Sequence, residues 1–404
     1  MKIVKIPQKL LPFFAMFRNL FRIDRFEQMR RYILGLIILQ TDRSMTQLSK
    51  CYLSPLLRQS VNHFLLYAEI AIHQLIWQSS LWLLRQIIKL TPEPLYIIFD
   101  DTLIPKRGKT IFGVGKFKPG DKYIIGNNIV VGLFYLAGWT IPFGFRLYLK
   151  KELCAELRRP FFTKHQLVIQ LLTELKLPPE VKPIILFDSF YFSQTVVQAV
   201  KQRGWLYVSV AKYNRKMINP FTGRRIRLGN FIKVIQRKRK IKVEFNLEGR
   251  TKRYRAIQIK TRLSKVGEVN MVFSYQRGMT YPLVLVTNDL ELPAEDVIRW
   301  YSLRWKIECF FQDIKEELGL GDYHTTQEES ISKHLGLSIL GYHGLVFIRY
   351  RHRKNLRIYH RLQTIRGAKE YIREETLRDT VSWINRRLQT KNGRRTLERL
   401  LFAA

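Results

Sequence analysis

Hydrophobic and polar positions change their spacing several times along the chain, and each change predicts a different secondary structure. Over residues 1–90 apolar residues recur every three to four positions, which predicts helices at 26–39, 45–53, 56–66 and 68–90. Beyond residue 94 short apolar runs bounded by proline, glycine or acidic residues predict strands at 95–99, 129–135, 140–149, 183–188 and 205–210. Helical spacing returns between them, at 163–177 and 193–203. Strands that alternate with helices predict an α/β fold.

A different pattern covers residues 211–280, where apolar and polar residues alternate over 241–247, 254–263 and 269–275. Such alternation is typical of antiparallel strands with one polar face. The segment holds 20 lysines and arginines but only three acidic residues, so this face is strongly basic. We therefore predict a helical region (1–90), an α/β core in two parts (91–210 and 281–350), a basic β-rich insertion between them (211–280) and a basic helical C-terminal region (351–404).

The segment 294–318 contains neither glycine nor proline and is flanked by one of each, which predicts one continuous helix. Its apolar residues form one stripe, and beside it lies a polar stripe of Tyr301, Arg304, Glu308 and Lys315. A carboxylate between two cations and next to a buried face suits a metal or anion site. The alternative is a solvated helix face with one Arg304–Glu308 pair, which contributes roughly a few tenths of a kcal/mol. Trp305, which is large and apolar, is predicted to pack in the core.

The charge balance restricts the partners of this protein. The chain is 46% hydrophobic and therefore folded, yet it carries a net charge of +38. Such a surface requires a polyanion, and a nucleic-acid backbone is the first candidate. An anionic membrane is the alternative, but membrane binding usually uses one basic amphipathic helix, whereas these basic residues are spread along the chain. The N-terminal helices are equally compatible with a helix-turn-helix DNA reader and a plain bundle.

The cysteine and hydropathy patterns indicate the cellular compartment in which the protein is expected. The three cysteines lie far apart, which fits a reducing compartment and argues against structural zinc. The uncharged run 123–145 contains asparagines, glycines and a proline, which favour a strand–turn–strand over a membrane span. No signal peptide is recognisable. We predict a cytoplasmic, nucleoid-associated protein. Its scattered histidines have no metal-ligand spacing and are predicted to be structural or surface residues.

Acidic residues occur at the ends of two predicted buried strands and on the helix just described. Asp100 and Asp101 end the first strand, Asp188 ends another, and Glu308 lies on the helix. Carboxylates that converge at the rim of a sheet repel one another unless a cation neutralises them, and hard oxygen ligands suit Mg²⁺ or Mn²⁺. The alternative for each aspartate is a helix or turn cap. As a set in a basic chain, the acids favour metal-dependent phosphoryl transfer.

Three motifs, in the same order, resemble those of bacterial insertion-sequence transposases of the DDE type. The spacing Tyr301-x2-Arg304-x3-Glu308-x6-Lys315 resembles the Y-R-E-K signature of that family, with matching context at 286–289 and 319–323. Asp-Asp-Thr at 100–102 resembles its first aspartate motif, and Leu-Phe-Asp at 186–188 its second. The motifs cover residues 95–325.

The resemblance implies an RNase H-like mixed-sheet core that is interrupted by the β-rich insertion. It also implies that a helical DNA-binding region (1–90) precedes this core, and a helical region follows it. It implies that Asp101, Asp188 and Glu308 are catalytic and bind two Mg²⁺ or Mn²⁺ ions, and that Tyr301, Arg304 and Lys315 contact DNA. Adjacent strand residues point to opposite faces, so Asp100 and Asp101 cannot both enter the site. The residues alone leave the choice open, whereas the family pattern favours Asp101.

The implied function is a DNA transposase that cuts element ends and transfers the 3′-OH strand to target DNA. Because two ends must be held together, a homodimer or a larger assembly on DNA is expected. The rival interpretations are a catalytically inactive DNA-binding protein derived from such an enzyme and a metal-dependent endonuclease without strand transfer.

Overall fold

The N-terminal region is helical. The computed structural model describes residues 3–41, 43–53, 58–108, 110–178, 180–390, 392–395 and 397, so the start of the predicted helix 56–66 and the end of the predicted C-terminal region lie outside the described residues. Two 3-10 turns, Gln8–Leu10 and Arg18–Leu20, accompany α1 (Leu11–Ala15), α2 (Ile23–Ile38), α3 (Met45–Lys50), α4 (Arg58–Tyr67) and α5 (Ile72–Ile88).

The first part of the core contains both strands and helices, in agreement with the predicted α/β fold. It contains β1 (Tyr96–Pro105), β2 (Gly115–Phe117), β3 (Ile124–Leu136), β4 (Trp139–Tyr148), α6 (Lys151–Glu156), α7 (Lys164–Glu174), β5 (Ile184–Phe187), α8 (Gln194–Gln202) and β6 (Leu206–Val210). The order across the sheet is β4–β3–β1–β5–β6, with β1, β5 and β6 parallel and β3 antiparallel to both of its neighbours in this order. This mixed order is RNase H-like and confirms the predicted fold class. The uncharged run 123–145 forms the β3–β4 hairpin.

The basic segment is β-rich and extends the same sheet. It contains β7 (Lys216–Ile218), β8 (Arg225–Arg227), α9 (Leu228–Ile235), β9 (Ile241–Leu247), β10 (Arg250–Leu263) and β11 (Gly267–Tyr275), and β12 (Leu283–Thr287) follows it. Strand β12 pairs antiparallel with both β11 and β6, so it joins these strands to the core in one sheet.

The predicted helix 294–318 is two helices, α10 (Ala294–Ser302) and α11 (Trp305–Leu318). The backbone N–H groups of Leu303 and Arg304 bond to carbonyls three residues back, which tightens the chain into a turn. The helices pack on different surfaces, α10 on strands β6 and β9–β12 and α11 on β1. Local sequence favours helix on both sides of the turn, so tertiary packing imposes the break. The prediction for Trp305 is wrong, since 60% of this residue is exposed.

A buried helix connects the N-terminal region to the core. The C-terminal elements are α12 (Glu328–Arg351), α13 (Leu356–Tyr359) and α14 (Ile365–Leu388). Nearly all of α12 is buried, because α2, α4, α5, α11, α14 and β4 pack around it. Two buried histidines on α12 are structural, as predicted: His334 contacts the hydroxyl of Tyr32 at 2.8 Å, and His343 contacts the carbonyl oxygen of Pro142 at 2.7 Å. No described helix has the length and hydropathy needed to cross a bilayer.

Candidate active site

Two aspartates meet where a pair of parallel strands separates. The pairing of β1 with β5 ends at Phe99 and Phe187, so Asp100 and Asp188 are the next residues on each strand. Because side chains alternate between the faces of a sheet, equivalent positions on parallel neighbours point to the same face. Ligands commonly bind at such a crevice beyond the carboxyl ends of parallel strands.

Helix α11 covers the face to which Asp100 points. The guanidinium of Arg304 donates to Asp100 Oδ2 at 2.9 Å, and Lys315 Nζ donates to the Thr102 hydroxyl at 2.6 Å. Asp100 and Thr102 are two residues apart and therefore share one face of β1. The residues of the predicted polar stripe therefore still face β1, although they lie on two helices and the turn between them.

Arg304 also donates to Glu308, so one guanidinium joins the carboxylates of Asp100 and Glu308. Burial and the neighbouring Asp188 raise the pKa of Asp100 to about 7. Burial likewise raises the pKa of Tyr301, beside Arg304, to about 12. Tyr301, Arg304 and Glu308 therefore lie around the partly buried carboxylate of Asp100, whose charge is costly without a cation.

Asp101 lies on the opposite face of β1, away from the place predicted for a catalytic residue. Its carboxylate accepts hydrogen bonds from Lys164 at 2.5 Å, from Asn128 at 2.8 Å and from Tyr191 at 2.7 Å. Three donors satisfy this group within the protein. The family pattern suggested Asp101, but the pleat of β1 turns Asp100 towards Glu308.

The turn that follows β5 holds the second aspartate. Asp188 Oδ1 accepts hydrogen bonds from the backbone N–H groups of Phe190 at 2.9 Å and Tyr191 at 3.1 Å. Such a turn orients the carboxylate through its own backbone. Tyr191 therefore contacts both strand-end motifs, through its N–H to Asp188 and its hydroxyl to Asp101. Sequence reasoning did not identify Tyr191, Asn128 or Lys164, because these residues carry no motif and lie far from Asp101 along the chain.

Lys315 is hydrogen-bonded to β1. Its ammonium group donates to the Thr102 hydroxyl and to the carbonyl oxygen of Leu103 at 3.1 Å, and burial lowers its pKa. These contacts hold α11 against β1 and help to set the position of Glu308 relative to Asp100.

Two family models match the chain. A model of the transposase DDE domain matches residues 163–342, and a model of the DDE superfamily endonucleases matches residues 13–229, more than half of the chain. The chain belongs to the DDE superfamily of endonucleases. A comparison with curated proteins finds no significant match.

DDE enzymes generally use divalent metals, and the donors here are of the appropriate type. In the described part of the chain, however, no three Asp, Glu, His or Cys side chains form a group that could hold a metal ion. Arg304 lies between two of the candidate carboxylates, because its guanidinium bonds to both Asp100 and Glu308. The carboxylates of this DDE protein fit a divalent cation by chemistry, and Arg304 offsets only part of the negative charge of Asp100 and Glu308.

Proposed function

We propose that this protein is a DNA transposase that cleaves the ends of its element and joins the freed 3′-OH to target DNA. Asp100, Asp188 and Glu308 are the proposed carboxylates of the reaction centre, with Asp100 in the place expected for Asp101. The observation that carries the proposal is the position of Asp100 and Asp188 where parallel strands separate, under the helix of Glu308. Asp101 is better suited to a structural role, because three side chains satisfy it.

The centre is proposed to hold two Mg²⁺ or Mn²⁺ ions, because carboxylate oxygens are the ligands these hard cations prefer. The pKa of Asp100, raised to about 7 by burial and by Asp188, supports this role, since the group needs a nearby cation to stay charged at neutral pH. When bound, such ions activate a water or 3′-OH and stabilise the leaving oxygen of a phosphodiester.

Arg304, which immediately precedes α11, and Lys315 on α11 are proposed to change partners when DNA binds. The Arg304 guanidinium can exchange the carboxylates of Asp100 and Glu308 for a phosphate, since it binds both groups through the same fork of donors. Tyr301 stays protonated and can donate to a phosphate or stack on a base. For Lys315, a phosphate contact would replace its present bond to Thr102.

DNA is the proposed partner beyond the reaction centre as well. The net charge of +38 and the 20 basic residues of the segment 211–280 supply phosphate contacts away from the site. Because transposition requires two element ends to be held together, we propose that the protein acts as a homodimer on DNA.

The test uses a supercoiled plasmid that carries the gene with its flanking DNA. Wild type and Glu308→Gln are compared in Mg²⁺ and in EDTA, with cut sites mapped and joining scored on a target plasmid. We expect Mg²⁺-dependent cuts at the flanks, with the variant at least about 10³-fold slower because it loses a reaction-centre carboxylate. Glu308→Gln should retain DNA binding in a gel-shift assay.

The possible results separate the rival interpretations. Cuts without joined products would favour an endonuclease that does not transfer strands. DNA binding without cuts by wild type in either Mg²⁺ or Mn²⁺ would contradict the enzymatic proposal and favour an inactive DNA-binding protein.

A further inference from the structure

The C-terminal end of α11 is held by cationic side chains from two distant parts of the chain. The last carbonyl groups of a helix have no partner within the helix, so they need donors from outside it. At α11 the carbonyl oxygens of Glu316 and Glu317 accept hydrogen bonds from Arg43, which lies between α2 and α3, at 3.0 and 2.9 Å. Lys369 on α14 also donates to the Glu317 carbonyl oxygen, at 2.9 Å. The end of α11 is therefore bonded to both the N-terminal and the C-terminal regions.

Arg43 is itself held at the end of α2. Its Nε donates to the Leu36 carbonyl oxygen at 3.1 Å, and its Nη2 donates to that of Gln40 at 3.2 Å. Its Nη1 pairs with Asp322 at 3.2 Å, and only 4% of Arg43 is exposed. One buried guanidinium thus joins the end of α2 to the end of α11. Its positive charge also interacts favourably with the negative end of each helix dipole.

Gly319 allows Arg43 to approach the helix so closely. This residue ends α11 in the left-handed conformation, with a φ of 61°, which favours glycine. A Cβ atom at this position would lie 2.6 Å from Arg43 Cδ and 2.4 Å from Asp322 Oδ2, so both neighbours would have to move. The glycine that ends the helix therefore also admits the side chain that bonds to its last carbonyl groups.

The contacts of Arg43 restrain α11 along its own axis. The unpaired carbonyl groups at a helix end point along the axis, so donors there oppose movement in that direction. The bonds from Lys315 to β1 hold the same helix from the side. Glu308 lies about two turns before Glu316, roughly 12 Å along the axis. Because the hydrogen-bonded helix moves as a unit, an axial shift of α11 would move Glu308 relative to Asp100 by the same amount.

We propose that Arg43 is a positioning residue for the reaction centre, which acts through α11 to set the distance between Glu308 and Asp100. Misplacement of a reacting group by about 1 Å can cost roughly 10²-fold in rate. The N-terminal region thereby contributes to the geometry of the reaction centre without contacting the reacting atoms. This inference rests on the proposed function, because it assigns Glu308 to that centre.

The first measurement uses Cys309 as a reporter and needs no cleavage. This cysteine directly follows Glu308 and is half-buried, whereas Cys154 on α6 is buried. Full-length protein in EDTA is treated with iodoacetamide, and alkylation of each cysteine is followed by mass spectrometry. Arg43→Met keeps an unbranched apolar side chain but has no donors. In this variant we expect Cys309 to react about tenfold faster and Cys154 to react at its wild-type rate.

The second measurement is the Mg²⁺ dependence of cleavage on the plasmid substrate. Arg43→Met should cleave about 10²-fold more slowly at saturating Mg²⁺ and should need about tenfold more Mg²⁺ to reach half of its maximal rate. A loss of folded protein alone lowers the rate but leaves the Mg²⁺ requirement unchanged. Arg43→Lys keeps the charge and one donor group, so it should fold and show smaller changes in the same direction.

Arg203→Met is the matched control, because Arg203 caps a helix that carries none of the proposed reaction-centre carboxylates. Arg203 donates to the carbonyl oxygens of Thr173 and Leu175 at the end of α7, at 3.0 and 3.2 Å. Its replacement should leave the alkylation rate of Cys309 and the Mg²⁺ requirement within about twofold of wild type, since distant sites act independently.

The outcomes separate this inference from the proposed function. Wild-type alkylation of Cys309 in both Arg43 variants, an equal acceleration at Cys154, or an equal change in Arg203→Met would overturn the inference. Normal cleavage by wild type with an unchanged Mg²⁺ requirement in both Arg43 variants contradicts this inference alone. Absence of cleavage by wild type contradicts the proposed function, while faster alkylation confined to Cys309 would still show that Arg43 holds α11.

Discussion

The two faces of β1 place the neighbouring aspartates Asp100 and Asp101 in different electrostatic environments. Asp101 has three donors for one carboxylate, from β3, from α7 and from the turn after β5. Asp100 shares one guanidinium with Glu308, accepts one hydrogen bond from the backbone N–H of Asp101 at 2.8 Å and has Asp188 nearby. Burial and Asp188 raise its pKa to about 7. One face therefore holds a satisfied charge, and the other holds an excess of negative charge.

This difference gives a physical criterion for separating structural from reactive carboxylates. A buried carboxylate with several donors stabilises the fold and has little capacity left for a ligand. Carboxylates that outnumber the cations around them acquire affinity for an added cation. Identity and sequence position do not separate Asp100 from Asp101, but their surroundings do.

The largest expected effect comes from replacing each of the two aspartates in turn. Asp100→Asn should reduce the cleavage rate by at least about 10³-fold, because it removes a reaction-centre carboxylate. Asp101→Asn should retain measurable cleavage, because its carboxylate lies on the other face. Both rates are measured on the plasmid substrate with equal amounts of folded protein. The opposite ranking would restore Asp101 as the catalytic residue.

The Asp100 face should contribute a separable part of the pH dependence of stability. Burial and Asp188 raise the pKa of Asp100 from its ordinary 3.8 to about 7, so the folded state holds this proton more tightly than the unfolded state. The resulting stabilisation is complete below the ordinary value and is lost as pH rises through 7, by about 2 kcal/mol after allowance for solvent screening.

Urea unfolding of the metal-free protein measures this effect, with Asp100→Asn as the comparison. The free energy of unfolding of wild type should fall between pH 4 and a pH above 7, and the variant should lack this part of the decline. Identical pH profiles for the two proteins would show that Asp100 is not held in the environment described.

The smallest effect should come from the Asp101 face. Tyr191→Phe removes one hydrogen bond to a carboxylate that keeps Lys164 and Asn128, and it should lower the free energy of unfolding by about 1–2 kcal/mol. Cleavage per folded molecule should stay within about threefold of wild type, because that loss leaves Asp100 in place. Thermal unfolding and the plasmid assay measure the two quantities. A large loss of cleavage at unchanged stability would give Tyr191 a direct part in the reaction.

Much of this arrangement could be predicted from local pattern. Buried strands that end in acids, the spacing of Tyr301, Arg304 and Glu308, and the basic β-rich segment are all features of residues close in sequence. The RNase H-like order of the strands follows from the family resemblance. These features need no knowledge of distant contacts.

The remaining features depend on contacts between distant residues. The choice of Asp100 over Asp101 depends on the register of β1 against β5 and on the position of Arg304. The break before Trp305 arises because α10 and α11 pack on different surfaces, although the intervening residues favour helix. Neither fact is encoded in the spacing of residues within one segment.

The burial of α12 bears on whether the N-terminal region can fold without the rest of the chain. Because α2, α4 and α5 pack around this helix together with β4, the N-terminal region and the sheet share one hydrophobic core. A fragment that ended near residue 90 would leave the apolar faces of those helices without their covering partner. Residues 1–90 are therefore not expected to fold as an independent domain when they are separated from α12 and the sheet.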